Sequence, residues 1–344
     1  SVAFPFARIA PDAVGGAEQA LGHLDAQLVR AGHCSIVVAA AGSEVRGRLI
    51  ATSVPHGVLT DAQRRKVWRE HRDNIVRAIR EVEPDVVHMH GVDFLEYLPP
   101  LGGVPVLVTL HLPPSWYAAR VFHLQRDDVH LHCVSRSQHM HCPPGARLLA
   151  PIANGVPVRE RPPRARRGDF ALALGRICAE KNWHAALDAG RRGNVPVLLA
   201  GQVFPYEAHH DYFETQIRPR LDRTRRFIGP VGPREKHRLL ARARCLLVPS
   251  LAPETSSLSA MEALACGTPV VAYPSGALPE IVQDGITGFI VRSPEEMAGA
   301  MERCARIDHA RCHAIARERF DCTFMFKQYL HVYRRLAAHA VCVA

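Results

Sequence analysis

The stretch from Pro249 to Val291 reads PSLAPETSSLSAMEALACGTPVVAYPSGALPEIVQDGITGFIV. Its two glutamates, Glu254 and Glu262, lie eight positions apart, and the small hydroxyl residues between them indicate the start of a helix. A helix start leaves its first backbone N–H groups free to face an anion, and the helix dipole adds partial positive charge there. The stretch therefore predicts a site for a phosphorylated sugar, with each carboxylate gripping a hydroxyl-bearing part of the ligand.

Length and composition predict a two-domain globular protein. The chain has 344 residues, and roughly 150 residues make up a typical domain. Hydrophobic residues make up 47% and charged residues 22%, which is ordinary for a globular protein. No apolar run approaches the roughly 20 residues that cross a bilayer, and the first residues lack the pattern of a signal peptide. We expect a cytoplasmic protein, free or peripheral at the inner face of the membrane.

Cysteine spacing and charge narrow the classes of partner. The ten cysteines form no C-x-x-C pair and no Cys/His set at zinc spacing, which is typical of reduced thiols. The formal charge of +10 and the pI near 9.4 favour anionic partners such as nucleotides, phospholipid surfaces or nucleic acid. Arginine carries most of the positive charge. Because arginine would serve for generic surface charge, each of the four lysines is a candidate for a more specific role. These are Lys66, Lys181, Lys236 and Lys327.

The first half of the chain alternates apolar runs with helical patterns. Strands are predicted at SIVVAA, DVVHMH, PVLVTLH, VHLHCVS and RLLAPI, with a loop after SIVVAA and a charged helix over 61–82. Such alternation predicts parallel β-α units, whose ligands gather beyond the carboxyl ends of the strands. His88, His90 and His111 come near these ends, where a structural role is the alternative for each. His111 is the preferred candidate, because a polar and aromatic loop that follows it could line an acceptor cleft. The acceptor-side candidates in this loop are Ser115, Trp116 and Tyr117.

Two glycines, Gly15 and Gly16, precede a helix predicted over 17–31. A strand-glycine-helix arrangement lets the backbone approach a phosphate, because glycine has no side chain to hold it away. A plain tight turn is the alternative.

The segment ANGVPVRERPPRARRGD combines glycine, proline and arginine without an apolar period, so it is interpreted as an interdomain linker with solvated arginines. After it the β-α pattern restarts, with strands at DFALALG, VPVLLAG, RFIGPV and CLLVPS, and the chain ends in a helical pattern. We predict a first domain over 1–152, a linker over 153–168, a second domain over 169–320 and a C-terminal helix over 321–344.

Two cations follow the first strand of the second half, in the stretch LGRICAEKN. Arg176 and Lys181 stand where a strand turns into a helix, a place that can hold a diphosphate, and the alternative is that both are ordinary surface residues. Neither D-x-D nor G-x-G occurs in the chain. A metal held by paired aspartates is therefore unsupported, and the dinucleotide fingerprint of a dehydrogenase is missing.

Four motifs in order resemble one known family. GGAE, GR followed by EKN, PETSSLSAMEALACGTPVVA with its E-x7-E pair, and SGALPEIVQDGITGFIV are similar to the retaining nucleotide-sugar glycosyltransferases of family 4. The resemblance implies the GT-B fold, an α/β architecture of two facing Rossmann-like domains with parallel sheets. It also implies a C-terminal helix that crosses back to the N-terminal domain.

The resemblance also implies roles for single residues. Arg176 and Lys181 would neutralise the departing diphosphate, and Glu254 would hold hydroxyls of the donor sugar. Glu262 would bind the ribose, and His111 would lie beside the reacting carbon. The remaining donor-binding residues are the glycines Gly15 and Gly16, which would close on the diphosphate, the amides near Ser257 and Leu258, and Thr255 and Ser256, which stand where many members have Phe-Gly.

The implied reaction moves a sugar from a nucleoside diphosphate to an acceptor hydroxyl, with retention at the anomeric carbon and without a metal. A UDP-sugar is the favoured donor, and a glycan, a lipid-linked saccharide or a small molecule is the acceptor. Attack on the same face as the departing phosphate is favoured, because the sequence offers no unambiguous nucleophile. The alternatives are a sugar-nucleotide epimerase or phosphorylase of the same fold, and a basic protein that binds nucleic acid or membrane. The second alternative lacks aromatic residues interleaved in a basic run, so nucleic acid is not an expected partner.

Overall fold

The computed structural model describes residues 1–11, 13, 15–55, 57–100, 103–163 and 166–343, with side chains described as far as residue 338. The chain forms two compact units, the first comprising Ser1–Gly155 with Cys322–Ala344 and the second Val156–Asp321. No helix in these ranges is long and apolar enough to cross a membrane.

The first unit is built on parallel strands. Strands β1 and β2 pair with each other, and β3, β4 and β5 pair in that order, while Val2 bridges both Val38 of β1 and Met89 of β3. Their bounds are β1 Ile36–Ala40, β2 Arg48–Thr52, β3 Val87–Met89, β4 Val106–Leu110 and β5 Val129–Cys133. The helices are α1 Gly16–Arg30, α2 Asp61–Val82 and α3 Arg136–Met140, with single 3-10 turns at Phe94–Glu96, Pro114–Trp116 and Ala119–His123.

One predicted loop and one predicted strand in this unit were wrong. The segment Arg48–Thr52 was assigned to a loop and forms β2, because pairing with β1 supplies its backbone hydrogen bonds although its own sequence begins with an exposed arginine. The segment RLLAPI was predicted as a strand, but its only bridge within the described residues joins Leu148 to Leu131.

The helix Cys322–Val343 follows the second unit in sequence and belongs to the first. It contributes Met325, Phe326 and Tyr329 to a buried cluster with Leu24 of α1 and Leu107 of β4. Burial of large apolar side chains fixes this helix against the first unit.

The second unit contains a six-stranded parallel sheet of order β11-β10-β9-β6-β7-β8. The strands are β6 Ala171–Leu174, β7 Val197–Ala200, β8 Arg225–Gly229, β9 Cys245–Val248, β10 Val270–Ala272 and β11 Gly288–Ile290. The helices are α4 Trp183–Arg192, α5 Glu207–Tyr212, α6 Pro233–Arg242, α7 Leu258–Ala265, α8 Leu278–Ile281, α9 Pro294–Arg303 and α10 His309–Arg319. Shorter turns are Ala179–Lys181, Phe213–Ile217, Arg218–Arg220 and Cys304–Arg306.

The four central strands of this sheet are almost wholly buried, which is why they read in the sequence as short apolar runs. The predicted α/β architecture with parallel sheets is confirmed. The strand order reverses at β6 and β9, which are neighbours, and the carboxyl ends of such strands are where open α/β sheets bind ligands.

Candidate active site

Glu254 lies in the loop that follows β9, and a lysine from another β-α connection meets it. Nζ of Lys181 is 2.5 Å from Oε1 of Glu254, and the hydroxyl of Ser250 donates to the same oxygen at 2.5 Å. The side chains of Lys181 and Glu254 are 25% and 11% exposed. The structure thus brings together two residues that the sequence analysis assigned to the diphosphate and the sugar.

A glycine holds the backbone of the Glu254 loop in place. Gly276 has φ +57°, and a Cβ at this position would overlap the backbone of Glu254. The amide of Ala277 donates to the carbonyl of Glu254 at 2.7 Å, and on the other side the amide of Leu251 donates to the carbonyl of Glu180 at 2.8 Å. The SGA sequence of the fourth motif therefore fixes the position of Glu254 by close backbone approach.

The asparagine of the EKN motif lies where the backbone turns into a left-handed conformation. Asn182 adopts a left-handed conformation, φ 57° and ψ 38°, between the turn that carries Lys181 and the start of α4. Asparagine tolerates this region better than most residues. Trp183 is fully buried, and its indole N–H donates to the carbonyl of Arg176 at 2.8 Å. The guanidinium of Arg176 is exposed and forms no hydrogen bond or ion pair with a described residue, so it is available to an anion.

The helix start predicted after Glu254 is α7, whose N-cap is Ser257. The Ser257 side chain accepts no capping hydrogen bond, so the first-turn amides from Leu258 onward are not satisfied by their own cap. The hydroxyl of Ser256 is shielded from solvent and has no hydrogen-bond partner among the described residues. Thr255 and Ser256 are both half-buried. The first-turn amides of α7 and the Ser256 hydroxyl are therefore the polar groups of this turn that an anion or a hydroxyl could engage.

Glu262 lies one turn further along α7 and pairs with a lysine that the sequence analysis did not assign to the site. Nζ of Lys236, on α6, is 2.6 Å from Oε1 of Glu262, with side chains 21% and 18% exposed. The signal in the sequence was the rarity of lysine, since Lys181 and Lys236 are two of only four in the chain.

Arg167 lies in the segment interpreted as a linker with solvated arginines, and that interpretation was wrong for this residue. Its guanidinium donates to the carbonyls of Cys266 at 3.0 Å and Gly267 at 2.7 Å, and to the hydroxyl of Thr268. It also reaches the carbonyl of Leu240 on α6 at 3.4 Å. The carbonyls at the end of a helix lack intrahelical donors, so Arg167 satisfies the end of α7 and ties it to α6.

In the first unit, Gly15 is the N-cap of α1 and Gly16 its first residue. A Cβ on Gly15 would overlap the carboxylate of Glu18, which is 8% exposed. Burial raises the pKa of Glu18, opposed by a hydrogen bond to its own backbone amide. The GGAE motif is thus a helix start over which its own glutamate folds back.

His111 is buried beside a second histidine. Its Nε2 lies 3.0 Å from Nδ1 of His90, and burial lowers the pKa of His111 to about 3, so the imidazole is neutral. Nε2 of His90 is buried without a partner among the described residues. The amides of His111 and Leu112 donate to the hydroxyl of Tyr117 at 2.9 and 3.2 Å.

The three acceptor-side candidates separate in the structure. Tyr117 is buried and its hydroxyl is used by the loop backbone, whereas Ser115 and Trp116 are exposed. Of the three, only Ser115 and Trp116 have exposed side chains.

A chain of hydrogen bonds through His88 joins the C-terminal helix to the sheet. Nδ1 of His132 is 3.0 Å from the Cys133 carbonyl and must donate to it, so Nε2 accepts from Thr109 at 2.6 Å. The Thr109 oxygen then accepts from Nε2 of His88 at 2.7 Å, and Nδ1 of His88 accepts from the Tyr333 hydroxyl at 2.6 Å. Burial lowers the pKa of both imidazoles, to about 4 for His132, which keeps them neutral. His88 is therefore structural, the alternative considered for it.

No group of three His, Cys, Asp or Glu side chains that could hold a metal ion occurs among the described residues. The site is made of cations, carboxylates and helix-start amides.

Two family models match the chain, one in each half. Residues 14–143 match the model described as Glycosyltransferase Family 4, and residues 171–306 match the model described as Glycosyl transferases group 1. A D-inositol 3-phosphate glycosyltransferase of Saccharomonospora viridis is 34% identical over 175 residues, 47% of this chain and 38% of that protein. A glycogen synthase of Mycobacterium tuberculosis is 31% identical over 252 residues, 64% of this chain and 59% of that protein. The chain thus spans between about two fifths and three fifths of the length of these curated relatives.

Solved structures share the architecture over nearly the whole chain. AviGT4, a glycosyltransferase involved in avilamycin A biosynthesis, superposes with a TM-score of 0.73 at 21% identity, covering 98% of this chain and 97% of that one. Sucrose-phosphate synthase from Thermosynechococcus elongatus gives a TM-score of 0.77 at 17% identity, covering 98% and 99%. Anabaena Alr3699/HepE, solved with UDP and glucose, gives 0.73 at 18% identity, covering 96% and 98%. With both halves matched by its models and the architecture shared throughout, this chain belongs to glycosyltransferase family 4 and has the GT-B fold.

Proposed function

We propose that this protein transfers a sugar from a nucleoside diphosphate to an acceptor hydroxyl, with retention of the anomeric configuration and without a metal ion. The observation that carries the proposal is the ion pair of Lys181 with Glu254 at the carboxyl end of the sheet, next to the first turn of α7. A cation, a carboxylate and free amides are the groups that a sugar diphosphate needs within reach.

The second unit supplies the donor site in this proposal. Arg176 and Lys181 bind the diphosphate, and each charge-assisted hydrogen bond contributes about 1.5–3 kcal/mol. Glu254 accepts hydrogen bonds from sugar hydroxyls once Lys181 turns toward phosphate. The Ser257 and Leu258 amides, with the buried Ser256 hydroxyl, meet the β-phosphate or the sugar.

The proposed chemistry breaks the bond between the anomeric carbon and the phosphate oxygen and forms one between that carbon and the acceptor oxygen on the same face. The acceptor proton passes to an oxygen of the departing diphosphate, so no protein nucleophile is consumed. The protein stabilises the negative charge that develops on the diphosphate, and preorganised cations lower the barrier because they need no rearrangement during reaction.

A UDP-sugar is the favoured donor, supported by Alr3699/HepE, which was solved with UDP, UDP-glucose, or UDP and glucose. The acceptor is a hydroxyl of a glycan, a lipid-linked saccharide or a small molecule. The contributions of Gly15, Gly16 and His111 stay predictions from the family resemblance.

Peripheral contact of a cytoplasmic enzyme with an anionic membrane is part of the proposal. The first half of α2 exposes five basic side chains on one stretch of helix, which supports it: Arg64, Arg65, Lys66, Arg69 and Arg72. Sedimentation with vesicles of neutral lipid, with and without phosphatidylserine, tests this contact. Binding that is indifferent to phosphatidylserine, or unchanged by R65E/R69E, would contradict it.

Thermal-shift screening against UDP-, GDP- and ADP-sugars identifies the donor, because a ligand that binds only the folded state raises its stability. A transfer assay with the labelled donor and an acceptor panel then follows, with the anomeric configuration of the product read by NMR. A glycosylated acceptor of retained configuration, formed in the presence of a chelator, is the expected result. An epimerised nucleotide sugar, a sugar 1-phosphate or an inverted product would overturn the proposal.

A further inference from the structure

Lys236 holds the second glutamate of the E-x7-E pair by one oxygen only. Its ammonium is 2.6 Å from Oε1 of Glu262, and Oε2 forms no hydrogen bond with any residue that the structure describes. Both side chains are about one-fifth exposed, so the pair is not sealed from solvent. The pair thus presents an ionised, oriented acceptor with one oxygen unused.

The four lysines divide into two classes. Lys181 and Lys236 each pair with one glutamate of the motif, while Lys66 and Lys327 form no ion pair in the part of the chain that is described. In a chain that uses arginine for almost all of its positive charge, the two paired lysines contact the two motif carboxylates. A lysine suits this position because it offers a compact point charge, whereas the guanidinium of arginine would occupy both carboxylate oxygens.

Holding α6 against α7 does not require this ion pair. Arg167 already joins the end of α7, through the carbonyls of Cys266 and Gly267, to Leu240 of α6. The hydroxyl of Thr268 adds a hydrogen bond to the Leu240 carbonyl at 2.6 Å. Arg167 and Thr268 thus join the two helices without the Lys236–Glu262 pair.

We propose that Lys236 is a positioning residue that sets the preference of the donor site for a ribonucleotide over a 2′-deoxyribonucleotide. This inference rests on the proposed function, because it takes Glu262 to bind the ribose. The ammonium restricts the glutamate to one orientation, in which Oε2 and the remaining lone pair of Oε1 accept hydrogen bonds from the two ribose hydroxyls. Hydrogen bonds to an ionised acceptor are about twice as strong as neutral ones, so a misplaced Glu262 loses most of its preference for the diol.

The test is calorimetric titration of the purified protein with UDP, GDP or ADP, whichever raises the thermal stability of the wild type most, and with the 2′-deoxy form of the same nucleotide. In the wild type the ribonucleotide should bind more tightly. In Lys236→Met its affinity should fall about tenfold or more, the effect of one weakened charge-assisted hydrogen bond, and the affinity for the 2′-deoxy form should fall less, because that nucleotide has only one of the two hydroxyls. Lys236→Gln keeps a hydrogen-bond donor, so its affinity for the ribonucleotide should lie between those of the wild type and Lys236→Met. It replaces Lys236→Met if that variant shows no cooperative unfolding.

The matched control is Arg238→Met, which removes a cation from the same helix together with its exposed ion pair to Glu235. It should leave both affinities unchanged. Equal weakening of both nucleotides in Lys236→Met, or no weakening of either, would overturn the inference, as would a wild type that binds both forms equally well. A wild type that binds none of the three diphosphates would instead overturn the proposed function, and the inference with it.

Discussion

The ammonium of Lys181 lies 2.5 Å from Oε1 of Glu254, although 73 positions separate the two residues in the sequence. The lysine comes from the turn after β6 and the glutamate from the loop after β9, two strands that are neighbours in the sheet. Adjacent parallel strands deliver their carboxyl ends to the same edge, so the fold itself brings these residues together. Without donor, each side chain satisfies the charge of the other.

Replacing Lys181 with alanine should reduce kcat at least about 100-fold, the scale seen when one charge-stabilising donor is removed from an active site. The variant also leaves Glu254 with only the Ser250 hydroxyl on its Oε1, so donor sugar should bind less tightly. Initial rates at saturating donor measure the effect, with Lys327→Ala, an exposed lysine on the C-terminal helix, as control. Turnover within threefold of wild type would remove Lys181 from the reaction.

Gly276→Ala should damage both stability and activity, because the added methyl group meets the backbone of Glu254. The positive φ of +57° alone costs about 1–2 kcal/mol for a residue with a Cβ. The displaced loop should move the Glu254 carboxylate, and we expect kcat/KM to fall at least about tenfold, as small misplacements of catalytic groups commonly cause.

Gly285→Ala is the matched control for this substitution. Gly285 has φ +72°, yet no atom lies within 4 Å of the position its Cβ would take. In Gly285→Ala the free energy of unfolding should fall by the cost of the positive φ alone, and kcat/KM should stay normal. If the two alanine variants are equally active, contact with Glu254 is not what Gly276 provides.

The buried parallel strands could be predicted because their sequence environment is uniform. Strands such as β6 and β9 lie inside the sheet and carry only apolar residues, so a local pattern identifies them. Strand β2 was not predicted, because it begins with the exposed Arg48 and its ladder hydrogen bonds come from β1. Its conformation is decided by a partner strand and not by its own sequence.

The candidate site divides in the same way. Glu254 and Glu262 could be identified from local spacing and the family motif, whereas Lys236 and Arg167 could not, because their partners lie 26 and about 100 positions away. The local sequence does not show whether an arginine side chain contacts water or the carbonyls at the end of a helix, because that depends on the fold. Arg167 follows four arginines in a proline-rich segment and nothing local distinguishes it from them.

Arg167→Met should destabilise the second unit by about 2–4 kcal/mol, because the carbonyls of Cys266 and Gly267 lose a charged donor and remain partly buried. Arg166→Met removes the exposed neighbour and should change the free energy of unfolding by less than about 0.5 kcal/mol. Denaturant unfolding of both variants, with hydrogen exchange of α7 as a local readout, measures the difference. Similar stability of the two variants would mean that Arg167 does not stabilise the end of α7.

Acid should destabilise the first unit through its buried neutral histidines. Burial lowers the pKa of His71 and of His132 to about 4, from an unfolded value near 6.5. Between these values the unfolded chain binds more protons than the folded one, so this stabilisation is complete above pH 6.5 and is lost as pH falls toward 4. Each histidine contributes on the order of 3 kcal/mol at most, from its shift of about 2.5 pKa units.

Removing one titrating group should flatten this dependence. In His71→Gln the free energy of unfolding should be lower at pH 7.5, since Thr52 and the Ala3 carbonyl lose their bonds to the imidazole. Between pH 6.5 and 4.5, however, it should fall less steeply than in the wild type. The slope of this free energy against pH should be smaller by the equivalent of about one proton. His123→Gln, at an exposed position, should retain the wild-type slope. Unfolding curves followed by hydrogen exchange of β1–β5 across this range provide the measurement. An unchanged slope in His71→Gln would show that this histidine is not the buried neutral group that its contacts with Thr52 and Ala3 indicate.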